Sequence, residues 1–309
     1  RKHRPDAIWS TYPIATAHLI GLTLARLSGL PWIADFRDSM TEEHYPADPR
    51  VRGVFRSIER RAVQRASACV FTTPGTVAMY AGRYPDQPDG RWHCIANGYD
   101  EENFSAAAAR VASPAAPRER LVLLHAGILY PSERDPRPFF AALARLKERG
   151  VVSADTLRIS LRATGHDGTF RPMIDAAGLA DIVALEPGIP YEEALGEMLT
   201  ADGLLLFQAS NCNHQIPAKL YEYLRARRPV LALTDPVGDT AKTLSAAGVD
   251  SIVRLDDADD IGAGLERFIG QVRSGAAPLA SDAEIDSHSR RARTGLLAAL
   301  LDDTVVQAR

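Results

Sequence analysis

Apolar runs of four to seven residues recur along the chain, each closed by turn-forming residues and followed by a stretch with helical spacing. Residues 7–10, 31–36, 67–72 and 92–95 read as strands in the first third, and residues 121–126, 157–163, 181–185, 203–207, 229–233 and 251–254 continue the series. Between them, residues 14–28 hold Leu19, Leu22 and Arg26 at helical spacing before Gly29, and Phe139, Leu143 and Leu146 mark a helix that stops at Gly150. Strands that are apolar throughout, alternating with helices, predict parallel sheets covered on both faces and therefore an α/β fold. In open sheets of this kind ligands bind at the carboxyl ends of the strands.

The pattern lapses once. Residues 105–120, SAAAARVASPAAPRER, carry small residues and prolines with no large apolar side chain beyond one valine, and read as a linker. The expected organisation is an amino-terminal Rossmann-like domain over residues 1–112 and a second over 113–282. A carboxyl-terminal helix, 283–309, carries Leu296, Leu297, Leu300 and Leu301 and is long enough to reach back to the first domain. Two doubly wound domains would face each other across a cleft, with ligand edges on both walls.

Chemistry concentrates at those edges. The stretch ADGLLLFQASNCNHQIPAKLYEYLRARRPVLAL reads as strand, polar loop, helix opened by Pro217, and strand. Lys219 would lie in the helix's first turn, where a cation opposes the helix dipole unless an anion lies between them. Glu222, one turn on, can accept hydrogen bonds from sugar hydroxyls. The alternatives are a solvated Lys219 and a surface pair between Glu222 and Arg225. Gly127, directly after a strand, would let the backbone approach phosphate, with Arg134 supplying a fixed charge beside it. In the first domain Asp35, Arg37 and Asp38 follow a strand and suit acid–base or charge-stabilising work, or else cap a surface loop. His18 is either directed at the same edge or structural, and Asn97-Gly98 forms a tight turn after a strand.

Composition narrows the function classes. The chain has 309 residues, 46% hydrophobic and 24% charged, with a net charge of −3 that gives no reason to propose nucleic-acid binding. Three dispersed cysteines support neither a zinc site nor a disulfide framework, so a cytoplasmic setting is expected. No membrane span or signal peptide is legible. Basic chemistry is mostly arginine, with only four lysines among 36 basic residues. Residues 50–66, RVRGVFRSIERRAVQRA, set an apolar stripe of Val51, Phe55, Ile58 and Ala62 against a ridge of Arg52, Arg56 and Arg60. The ridge is either an ordinary solvated face or a contact for an anionic membrane surface. The run from Asp256 to Asp260 contains Asp-x-Asp spacing, and its place before a helix favours capping over metal binding.

Five stretches together resemble the GT-B-fold glycosyltransferases of family 4: PWIADFRDS, SIERRAVQRASACVFTT, IANGYD, HAGILYPSERDP and PAKLYEYLRARRPVLAL, in the family's order. The resemblance implies a retaining, nucleotide-sugar-dependent enzyme that needs no metal or other cofactor. Glu222 would bind the donor's ribose as the second glutamate of the family's paired motif. Lys219 and Arg134 would lie near the diphosphate, with Gly127 allowing close approach, and the Asp35–Asp38 loop would face the acceptor and the reacting carbon. The family's first glutamate is replaced by His214, which leaves the sugar to His214 or to the backbone of Gln215 and Ile216. Against the family pattern the first domain is shortened at its amino end.

The expected reaction is transfer of a sugar from a UDP- or GDP-sugar to a hydroxyl of a glycan or lipid-linked acceptor, in polysaccharide or glycoconjugate synthesis. It would take place in the cytoplasm or at the inner membrane face. The alternatives are a nucleotide-sugar epimerase on the same scaffold and a non-catalytic nucleotide- or partner-binding module.

Overall fold

A computed structural model of the chain describes residues 4–111 and 119–308. The chain divides into two compact units, one running to Asn97 and resuming at Arg291, the other spanning Gly98–Arg290.

In the first unit β1 (Ile8–Thr11), β2 (Trp32–Phe36), β3 (Ala68–Phe71) and β4 (Trp92–Cys94) form a parallel sheet in that order. Three helices connect them: α1 (Ala15–Ser28), α2 (Pro49–Arg65) and α3 (Pro74–Arg83). Local chemistry fixes their ends. Asp48 accepts from the N–H groups of Arg50 and Val51 ahead of α2, and Thr73 accepts from that of Thr76 at the start of α3. Both α2 and α3 have proline at their first position, where no N–H is needed. Trp32, Ala34 and Phe36 bury one face of β2 against Leu22, Ile58, Ala62, Val63 and Tyr80. The other face, with Ile33, Ala68 and Val70, packs against Leu300 and Leu301 of the last helix.

Two expectations change here. Val51 is 41% exposed, so the buried stripe of α2 is Ile58, Ala62 and Val63, with Phe55 at its margin. The final helical stretch is two helices, Asp282–Ser287 and Arg290–Gln307, and Leu296 is exposed.

The second unit begins with α4 (Glu101–Arg110). Residues 105–110, expected in the linker, thus complete a helix, because a run of alanines after an Asp100 cap favours helix as strongly as it lacks core residues. Residues 112–118 of the expected linker, with the boundary at residue 112, lie outside the described residues, and the compact units part at Asn97/Gly98. Strands β5 (Leu121–Ala126), β6 (Leu157–Arg162), β7 (Val183–Glu186), β8 (Gly203–Phe207), β9 (Val230–Leu233) and β10 (Ile252–Val253) follow. The helices between and after them are α5 (Arg137–Glu148), α6 (Asp167–Ala176), α7 (Tyr191–Thr200), α8 (Lys219–Arg225), α9 (Asp239–Ala246), α10 (Ala258–Ser274) and α11 (Asp282–Ser287), and α12 (Arg290–Gln307) returns, from Arg291 on, to the first unit.

The six strands are parallel, in the order β10-β9-β8-β5-β6-β7. The direction of winding therefore reverses between β5 and β8, which makes their carboxyl ends the switch point where such sheets open. Burial drives this arrangement. Every residue of β8 is buried, and each of Leu204, Leu205 and Leu206 contributes roughly 2 kcal/mol by leaving water.

Candidate functional site

At the switch point β5 and β8 pair only through Leu123–Gly203 and Leu124–Leu204, and then separate. Side chains take over the hydrogen bonds that the ladder gives up. The His125 ring fills the gap, with Nδ1 2.9 Å from the Leu205 carbonyl and Nε2 3.1 Å from that of Gly127. The Ala126 N–H donates to the Tyr223 hydroxyl, 3.0 Å away on α8. A polar residue inside the otherwise apolar run LVLLHA marks His125 in the sequence, without marking which strand it faces.

Lys219, the first residue of α8, sends its ammonium into this opening, 3.3 Å from His125 Nε2. Gly127 adopts φ +112°, and a Cβ there would stand 2.8 Å from the ammonium nitrogen, so the glycine makes room for the lysine itself. Burial, reinforced by the positive charge of Arg134 and opposed by Glu222, lowers the Lys219 pKa to about 7. Burial and Lys219 hold His125 well below the ordinary imidazole range. Among the described residues the ammonium thus has a neutral imidazole, and no carboxylate, at hydrogen-bond distance.

Arg134 stacks on Tyr130, with its guanidinium carbon 5.3 Å from the ring centre, and donates to the Ile128 carbonyl at 2.7 Å. Glu222 accepts from the Tyr191 hydroxyl at 2.7 Å, while Arg225 turns to Glu101. The expected Glu222–Arg225 surface pair is therefore not formed. Tyr191 had no sequence signal, since it belongs to a different crossover.

Gln208 braces the loop before α8, donating through Nε2 to the carbonyls of Cys212 at 2.9 Å and Gln215 at 3.0 Å. Within that loop Ile216 is buried and His214 half-buried. The helix itself begins at Lys219, two residues after Pro217, and has only seven residues, which leaves it a weak dipole.

In the first unit Asp35 is 4% exposed at the carboxyl end of β2, with the Thr11 hydroxyl 3.5 Å from Oδ2. Burial raises its pKa to about 6 against the opposing pull of Arg37 and of hydrogen bonds from Thr11 and Trp9. Arg37 is exposed and donates to the Asn97 side chain, and Asp38 lies beside it, also exposed. Asp35, Arg37, Asp38 and Asn97 therefore share one edge.

His18 does not join them. It is fully buried, with Nδ1 2.8 Å from Ser10 Oγ and its ring 4.6 Å from that of Phe36, so it belongs to the core, and burial lowers its pKa to about 4. Gly98 has a different cause as well. A Cβ there would meet the His288 carbonyl at 2.4 Å, where the chain crosses residues 288–290. The acidic run acts as the cap: Asp257 accepts from the N–H groups of Asp259 and Asp260 at the start of α10. Among the described residues no group of three or more His, Cys, Asp or Glu side chains could hold a metal ion.

Residues 1–98 match the model of a glycosyl transferase 4-like domain. No curated protein matches the chain by sequence. Among solved structures, sucrose-phosphate synthase from Thermosynechococcus elongatus is similar, with a TM-score of 0.68 at 14% identity over 98% of this chain and 74% of that one. HepE from Anabaena, solved with UDP and glucose, has a TM-score of 0.68 at 14% identity over 96% of this chain and 77% of that one. Trehalose 6-phosphate synthase from Burkholderia multivorans gives 0.69 at 14% identity, covering 99% and 72%. The α/β architecture is that of the GT-B glycosyltransferases.

Proposed function

We propose that this chain, glycosyl transferase 4-like in its first third and GT-B in fold, moves a sugar from a UDP- or GDP-sugar to an acceptor hydroxyl with retention of configuration. The observation that carries the reading is the desolvated Lys219 ammonium, beside His125 and within the field of Arg134, with no carboxylate of the described residues at hydrogen-bond distance. A desolvated ammonium that also feels a second cation favours an anion, and a diphosphate at a switch point supplies one. HepE, with UDP in its solved complex, supports a uridine donor.

In this mechanism the bond between the sugar's anomeric carbon and the diphosphate oxygen breaks, and the electron pair leaves with the phosphate. Lys219 and Arg134 stabilise that charge in place of a metal ion. The acceptor oxygen bonds to the same carbon and its proton passes to the departing phosphate oxygen, so no side-chain nucleophile is required. Glu222, oriented by Tyr191, holds the ribose hydroxyls, and His214 with the backbone at Ile216 meets the sugar. Asp35, Arg37 and Asp38 belong to the acceptor side, where a carboxyl titrating near pH 6 can orient a hydroxyl.

Isothermal titration with UDP, GDP and their glucose or mannose esters tests this. Lys219→Ala is expected to weaken nucleotide binding by ~10- to 100-fold, the worth of one charged hydrogen bond. Absence of binding to any of them, or equal binding by the variant, would refute the proposal.

A further inference from the structure

Glu59 of α2 is fully buried, yet it has no place in the mechanism above. Its two carboxylate oxygens take four donors. Oε1 accepts from Arg83 Nη1 at 2.7 Å and the Tyr84 hydroxyl at 2.7 Å, and Oε2 from the Thr41 and Tyr80 hydroxyls, each at 2.9 Å. Two of those donors also hold the segment that follows Asp38. The Tyr80 hydroxyl accepts from the Met40 N–H at 3.0 Å, and Thr41 Oγ1 accepts from Arg83 Nη1 at 3.1 Å. Nearer the strand, the Thr72 hydroxyl donates to the Arg37 carbonyl at 2.9 Å.

The polarity of the network leaves little choice. Tyr80 and Thr41 each spend their proton on Glu59 and their lone pair on another donor, so a carboxylate is the one group that satisfies all four. Packing alone does not need it, since Ile58, Ala62 and Val63 already seat α2 on the sheet. A buried charge is a poor source of stability compared with an apolar side chain of equal size, and its best-attested use is to select one arrangement among several. The arrangement selected here is the backbone at Ser39, Met40 and Thr41, one residue beyond Asp38.

We propose that Glu59 is a positioning residue which, through Thr41 and Tyr80, fixes the loop after β2 and so sets where Arg37 and Asp38 stand at the strand's carboxyl end. The role rests on the reading of that edge as the acceptor side. Its geometry, however, is testable apart from transfer.

Thr41→Val and Tyr80→Phe each cut a tie to the loop while leaving Glu59 paired with Arg83, so both variants are expected to fold. Amide hydrogen exchange of residues 37–41 should quicken at least tenfold in each, with exchange in β2 and β3 unchanged. The Asp35 carboxyl, followed by NMR and assigned with Asp35→Asn, should titrate at lower pH as water reaches it. UDP binding should keep its wild-type affinity. With UDP-glucose as donor, turnover should fall in kcat while the donor KM holds. Unchanged loop exchange and unchanged Asp35 titration would overturn the positioning role, as would a general loss of protection across the unit, which marks a purely structural residue. Failure of the wild-type chain to bind UDP refutes the donor site and leaves the exchange result to decide on Glu59.

Discussion

Lys219 couples two pH effects of opposite sign. Its folded pKa, about 7, lies below the ordinary 10.5, so between those values the unfolded chain holds a proton that the folded chain has released. Stability from this group therefore rises with pH across that window. Anion binding runs the other way, because only the ammonium attracts a diphosphate. Affinity for UDP should be level below pH 7 and then fall, by up to about tenfold per pH unit, as the lysine must be protonated to bind. Titration calorimetry at several pH values, set beside urea unfolding of the free protein, should show the two slopes opposed. Lys219→Arg, which keeps its charge throughout, should flatten both. The lysine was legible in the sequence because it opens a helix after a strand. The imidazole that faces it was not, since a histidine ending an apolar strand carries no mark of which strand it will meet.

At the level of elements the order of strands and helices could be read almost throughout, because burial on both faces writes a parallel strand as an apolar run. Errors fell where a local signal had two uses. Alanine-rich residues 105–110 lack core side chains, which looks like a linker, and favour helix, which is what they form. His18 keeps helical spacing whether it faces solvent or core, and only tertiary packing against Phe36 and Trp32 decides. Arg227 shows such a conflict left standing. It follows α8 with φ +54°, the left-handed turn that ends helices and suits glycine. A Cβ there costs about 1 kcal/mol, and the exposed Arg227–Asp282 pair offsets it only in part. Arg227→Gly in an Asp282→Ala background, where the pair is already gone, should therefore raise unfolding stability by ~0.5–1 kcal/mol in urea titrations. A decrease would mean that the arginine stem packs more tightly than its exposure implies.

Across the whole molecule, charge is distributed more unevenly than the net value of −3 conveys. Helix α2 alone carries Arg50, Arg52, Arg56, Arg60, Arg61 and Arg65, while its one acid, Glu59, is buried and consumed internally. All but Arg52 are exposed, and Val51 and Val54 are exposed among them. On the same face of the sheet α1 presents Ile20, Leu24 and Leu27 to solvent at helical spacing. Among the described residues no helix is long and apolar enough to cross a membrane. A cationic ridge beside exposed apolar side chains matches an anionic bilayer, and each arginine near such a surface is worth about 1 kcal/mol. The chain should co-sediment with phosphatidylglycerol-rich vesicles and not with phosphatidylcholine alone, and added salt should release it. Arg52→Glu, Arg56→Glu and Arg60→Glu together should weaken that binding by at least ~100-fold, three lost attractions at that worth, while UDP affinity stays as in the wild type. Equal binding to neutral and anionic vesicles would assign the arginines to solvation alone.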